Sequence, residues 1–118
     1  MLTIYGIKNC GTMRKAMAWL DEHGIEYRFH DYKRDGLDEA RLRAWIDNVG
    51  WEPLLNRRGQ MWRKLPEEVR AAMDEPTAVR VILETPSIIR RPLLERGGEL
   101  HLGFSEDDYE RLLKPPID

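Results

Sequence analysis

The chain has 118 residues and a mass of 13.9 kDa, 42% of it apolar and 34% charged, the balance of one globular domain rather than a disordered segment. A formal net charge of −2 gives no bulk affinity for nucleic acid, and direct nucleic-acid binding is not expected. One cysteine, Cys10, excludes an internal disulfide and any cysteine-rich metal site.

The N-terminus lacks a basic segment followed by a long apolar one, and no apolar run approaches the roughly 20 residues of a membrane helix. A reduced cytoplasm is the expected compartment, with no membrane partner.

Leu2 to Tyr5 is β-prone and ends at Gly6. From Thr12 onward Met13, Ala16, Met17 and Leu20 recur at helical spacing, and Gly24 stops that helix. Ile25, Tyr27 and Phe29 then alternate with Glu26, Arg28 and His30. This period of two predicts a second strand and turns His30 outward, as a surface or capping residue. Strand, helix, strand over about thirty residues is a βαβ unit with parallel strands.

A second long helix is predicted over Asp38 to Val49, with Leu42, Trp45, Ile46 and Val49 on one face. Asp38 is its N-cap and Gly50 its stop. The middle, Pro53 to Glu84, reads as short helical pieces punctuated by Gly59, Pro66 and Pro76. Two extended runs, Pro92 to Glu95 and Glu99 to Leu102, flank the turn signal Gly97-Gly98. Ser105 and the acidic Glu106, Asp107 and Asp108 start a last helix carrying Tyr109, Leu112 and Leu113, which Pro115-Pro116 ends. The order βαβα, a helical insertion over about 38–85, then ββα, predicts a thioredoxin-like α/β fold in one domain over 1–118.

In that layout Cys10 falls between the first strand and the first helix, within Asn9-Cys10-Gly11-Thr12. Open α/β folds place their sites at this edge of the sheet. The free N–H groups and dipole of a helix start stabilise a thiolate, which is the nucleophilic form of cysteine. Lys8 and Arg14 add positive charge nearby in sequence. The alternative is a small buried apolar residue, the commonest fate of a free cysteine. The polar or small flanks Lys8, Asn9, Gly11 and Thr12 favour the functional reading.

The segment Cys10-Gly11-Thr12-Met13-Arg14 resembles the Cys-Gly-Thr-Ser-Arg signature of the glutaredoxin-coupled arsenate reductases. Further blocks are similar to the YffB branch of the arsenate reductase/Spx family: Tyr5 to Cys10, Tyr27 to Tyr32, Leu54 to Gly59, and Ile88 to Leu93. They span nearly the whole chain in the family's order.

The resemblance implies a thioredoxin-like fold with a helical insertion, and a glutathione-dependent thiol oxidoreductase with Cys10 as nucleophile. Cys10 would form a mixed disulfide or an oxyanion adduct. Arg91 would bind the oxyanion or stabilise the thiolate, and Pro92 would be the cis-proline facing the cysteine, against the alternative of a trans proline at a strand start. Asn9, Gly11, Thr12, Arg14, Arg57 and Arg58 complete the implied substrate- or glutathione-binding set. No bound cofactor and no metal are implied, and glutathione is the co-substrate.

Two departures shape the chemistry. Arsenate reductases of this kind surround the oxyanion with three arginines. The second lies in the segment matching Leu54 to Gly59, which offers Asn56, Arg57 and Arg58. The third precedes a proline in the final hairpin, where this chain has His101-Leu102-Gly103-Phe104 and no arginine. Each missing charge-assisted bond costs an arsenate dianion about 1.5–3 kcal/mol. Glutathione chemistry survives that loss better.

The other departure is Met13, where a C-x-x-C pair would put its second thiol. An adduct on Cys10 must then be resolved from outside, by glutathione or a glutaredoxin-type partner. The rival implied by the same resemblance is an Spx-like regulator that binds RNA polymerase without turnover. Spx-like sensors carry C-x-x-C at this site, so Met13 speaks against a disulfide switch.

The three histidines lack ligand spacing. Trp19, Trp45, Trp51 and Trp62 read as core and insertion packing rather than a base-stacking set.

Overall fold

A computed structural model describes residues 1–113, so the predicted stop at Pro115-Pro116 lies outside the described residues. Strand β1 (Leu2–Gly6) leads into helix α1 (Gly11–Glu22), and the chain returns as β2 (Tyr27–Asp31). A one-turn helix α2 (Tyr32–Asp35) precedes α3 (Glu39–Val49). Two short helices, α4 (Gln60–Arg63) and α5 (Glu67–Ala71), precede α6 (Glu75–Glu84). A 3-10 turn, Pro86–Ile88, then leads to the hairpin β3 (Leu93–Arg96) and β4 (Glu99–Leu102), and α7 (Glu106–Leu113) follows.

The sheet order is β2-β1-β3-β4. β1 pairs parallel with β2 and antiparallel with β3, and β4 pairs antiparallel with β3. This is the thioredoxin-like arrangement.

Period two divides the side chains of the central strands between the sheet's faces. Leu2, Ile4 and Leu94 join Met13, Ala16, Trp19 and Leu20 of α1 and Tyr109 and Leu113 of α7 in one core. Tyr5 and Leu93 point the other way, into a core with Leu42, Trp45 and Ile46 of α3 and Ala78 and Ile82 of α6. Both faces are covered, so alternation on the strands separates two cores rather than core from solvent.

His30 shows the consequence. It is half-buried and serves as the capping residue expected: its Nε2 lies 2.6 Å from the carbonyl of Gly36, which ends α2, and its ring centroid sits 4.8 Å from that of Tyr5. Strand β2 starts at Tyr27 rather than Ile25, and Tyr32 is already helical.

Several punctuation signals act as expected. Asp38 accepts the Arg41 N–H at 2.8 Å, and Ser105 accepts the Asp108 N–H at 3.1 Å, each leading off its helix. Gly97 and Gly98, with φ of 56° and 99°, turn the hairpin in a conformation that two side chains would strain.

The polar centre of the second core joins three elements. Glu95 of β3 accepts from the Tyr5 hydroxyl at 2.9 Å, from Arg41 at 3.1 Å and from the Trp45 indole at 3.1 Å. Burial, reinforced by the hydrogen bond to Glu95, pushes the Tyr5 hydroxyl up to about 12.

Candidate thiol site around Cys10

Cys10 is the N-cap of α1, in extended conformation (φ −121°, ψ 129°), with its carbonyl accepting the Arg14 N–H at 3.0 Å. No side chain caps this end, and no acidic residue lies in the first turn. The positive end of the helix is therefore left to whatever charge sits at its mouth.

The thiol is half-buried, one side packed against the core of α1. Asn9, Gly11, Thr12 and Arg14 surround it in sequence and are exposed. A side chain built on Gly11 would meet nothing within 4 Å, so an approaching disulfide has room there.

Met13 lies at the other extreme, with none of its surface exposed. It packs onto Gly6, where a Cβ would overlap the thioether sulfur. The position that holds a second thiol in a C-x-x-C pair is here a core methionine wedged against β1.

Arg91 and Pro92 reach this edge of the sheet from β3. The Arg91-Pro92 bond is cis, as the resemblance implied, and Pro92 is fully buried. The half-buried Arg91 guanidinium donates to the Ser87 carbonyl at 2.9 Å. It lines a cavity of about 170 Å³ with Ile7, Lys33, Asn56, Gln60 and Ser87. Ile7 stands three residues before Cys10, and a chain of that length spans at most about 11 Å.

The Tyr32 hydroxyl is buried without a hydrogen-bond partner among the described residues. Burial pushes it up, while the charge of Arg91 opposes that rise.

Local chemistry explains the cavity's other members. Asp31, itself buried, accepts the Lys33 N–H at 2.9 Å, which starts α2 and holds Lys33 at the end of β2. Asn56 is tied to the segment before Arg91. Its N–H donates to the Ile88 carbonyl at 2.9 Å, the Arg90 N–H donates to the Leu54 carbonyl at 2.8 Å, and Leu55 bridges Ile89. Its side chain accepts the Arg58 N–H at 3.2 Å, an Asx turn.

Arg57 and Arg58 do not line the Arg91 cavity. They line a separate depression of about 420 Å³ with Arg90 and Glu52, and Asn56 forms the wall between the two. Lys33, Gln60 and Ser87 escaped notice in the sequence. The available signal was the position of Lys33 just past a parallel strand, on the same sheet edge as Cys10.

Residues 5–112 match the family described as "ArsC family". The chain belongs to the ArsC family. A solved structure described as a YFFB protein is 48% identical, superposes with a TM-score of 0.90, and the match covers 96% of this chain and 99% of that one. An arsenate reductase (ArsC) related protein from Brucella melitensis is 52% identical with a TM-score of 0.80, covering 97% and 95%. The global transcriptional regulator Spx of Enterococcus faecalis is 30% identical, over 96% of this chain and 86% of that protein. The chain is thus similar both to a protein described as related to arsenate reductase and to one described as a transcriptional regulator.

Proposed function

We propose that this ArsC-family chain is a monothiol, glutathione-linked oxidoreductase with Cys10 as its nucleophile. The observation that carries the reading is the contrast between Cys10, half-buried at an uncapped helix start, and Met13, fully buried at the resolving position.

The Cys10 thiolate attacks the glutathione sulfur of a mixed disulfide. A Cys10–glutathione bond forms, the old S–S bond breaks, and the released thiolate takes up a proton. A second glutathione thiolate then attacks the sulfur of the glutathione held on Cys10. That step restores the Cys10 thiolate and carries the electron pair's worth of oxidation away as oxidised glutathione. Lys33 and Arg91, with the amides of Asn56 and Gln60, suit the carboxylates and peptide groups of such a tripeptide. Arg91 also adds positive charge to the edge where the thiolate forms.

Arsenate reduction is the narrower reading. Asn56, rather than Arg57 or Arg58, is the member of its segment that lines the Arg91 cavity, which leaves a neutral amide where a dianion would gain most from a guanidinium. The likeness to Spx supports a second reading, a regulator that binds RNA polymerase without turnover. Met13 weighs against its acting as an internal disulfide switch.

The test is turnover. With a glutathionylated peptide and excess glutathione, the wild type should release peptide thiol catalytically and Cys10→Ser should not. Equal rates for both proteins would sink the enzyme reading. Stoichiometric recovery of polymerase from extract would then favour the second.

A further inference from the structure

Three arginines line one depression that holds too little carboxylate to neutralise them. The 420 Å³ depression across Asn56 from the Arg91 cavity is lined by Arg57, Arg58 and Arg90, with Glu52 as its one acidic member. Glu52 approaches only Arg57, at 3.9 Å, and both side chains are more than half exposed, so the pair neutralises little. Among the described residues no ion pair engages the guanidinium of Arg58 or Arg90.

All three arginines are exposed, on a backbone that is fixed. Arg57 lies over the Trp62 ring at 5.3 Å. The backbones of Arg58 and Arg90 are pinned by the Asn56 side chain and the Leu54 carbonyl. On the near side of Asn56 the strip continues into Arg91 and Lys33. The result is a cationic track leading away from the edge where Cys10 sits, on a chain whose net charge is −2. Local charge opposed to the net charge marks a surface for one anionic partner, because a long polyanion would meet repulsion elsewhere.

We propose that this track docks an acidic segment flanking the reacting thiol of a protein substrate, so that the chain acts on glutathionylated cysteines next to glutamate or aspartate. The proposal rests on the thiol-exchange reading above and names the substrate class of that site. On the reading above glutathione takes the smaller cavity, which Arg57, Arg58 and Arg90 do not line, so the track adds selection among proteins without altering the exchange step.

Two readouts separate the track from the chemistry. The first is binding of a fluorescent glutamate-flanked peptide to the Cys10→Ser protein, which needs no reactive thiol. Binding should exceed that of a lysine-flanked peptide of equal length roughly tenfold at low salt and weaken as salt is added. It should be lost in Arg57→Glu/Arg58→Glu. The second is the rate of thiol release from the same two peptides in glutathionylated form. The acidic peptide should be favoured to a similar degree, and Arg90→Glu should erase that preference while leaving the rate at which oxidised glutathione forms the Cys10 adduct, with release of one glutathione, within about twofold.

Equal binding of the two peptides, or a preference untouched by charge reversal, overturns the track. An oligonucleotide of equal charge that binds as tightly as the peptide, and is lost in the same variant, overturns the acidic segment as its occupant. Selective binding with no exchange by any disulfide, oxidised glutathione included, leaves the track standing and overturns the thiol reading and the substrate class built on it.

Discussion

The Met13 thioether lies directly on the Cα of Gly6, in space that any side chain at position 6 would need. One contact thereby settles two matters. It locks the start of α1 onto β1, and it fills the resolving position with a residue that has no exposed surface.

Gly6 and Met13 should therefore behave as a coupled pair. Gly6→Ala overpacks the contact and should cost about 1–3 kcal/mol, while Met13→Ala leaves a cavity and should cost about 2–5 kcal/mol. The double variant should be less destabilised than the sum of the two, because alanine at position 6 fills space that Met13 vacates. Denaturant unfolding of the four proteins checks this, and strict additivity would argue against the contact.

Tyr5 makes stability sensitive to alkali. Its folded-state hydroxyl is raised from 10 to about 12, so the fold favours the protonated form. The associated stability is fully present below about pH 10 and is lost as pH rises toward 12, to a total of about 2–3 kcal/mol. Tyr5→Phe should flatten that decline while costing about 1 kcal/mol at neutral pH through the lost bonds to Glu95 and Arg41. Unfolding free energies between pH 8 and 11 measure it. Burial pushes Tyr32 and Tyr109 in the same direction, so the variant should retain part of the slope.

Arg91 should govern thiol reactivity by charge. Arg91→Ala should slow alkylation of Cys10 by neutral iodoacetamide at pH 7 about threefold or more, and Arg91→Lys should restore most of the rate. A rate unchanged in Arg91→Ala would confine Arg91 to substrate binding. The uncharged reagent removes steering of the alkylating agent from the comparison.

The fold was legible in the sequence wherever a local pattern carried it. Helical spacing from Met13 to Leu20 and from Leu42 to Val49, the turn at Gly97-Gly98 and the start at Ser105 each depend on neighbours in the chain. His30 was legible as a capping residue, but its packing on Tyr5 was not, because alternation reports two faces and not how far each is covered. The site was half legible. Cys10 and Arg91-Pro92 stand at element ends that the pattern locates. By contrast, the choice of Asn56 over Arg57 or Arg58 for the cavity depends on Leu55 bridging Ile89, a pairing between distant segments that no local period announces.

On the proposed mechanism Cys10 carries an adduct which only an outside thiol can resolve. Intact-mass spectrometry after exposure to oxidised glutathione tests it most directly. One glutathione should appear on the wild type and none on Cys10→Ser, and the adduct should be lost when reduced glutathione is added. No adduct on the wild type, or the same adduct on Cys10→Ser, would contradict it.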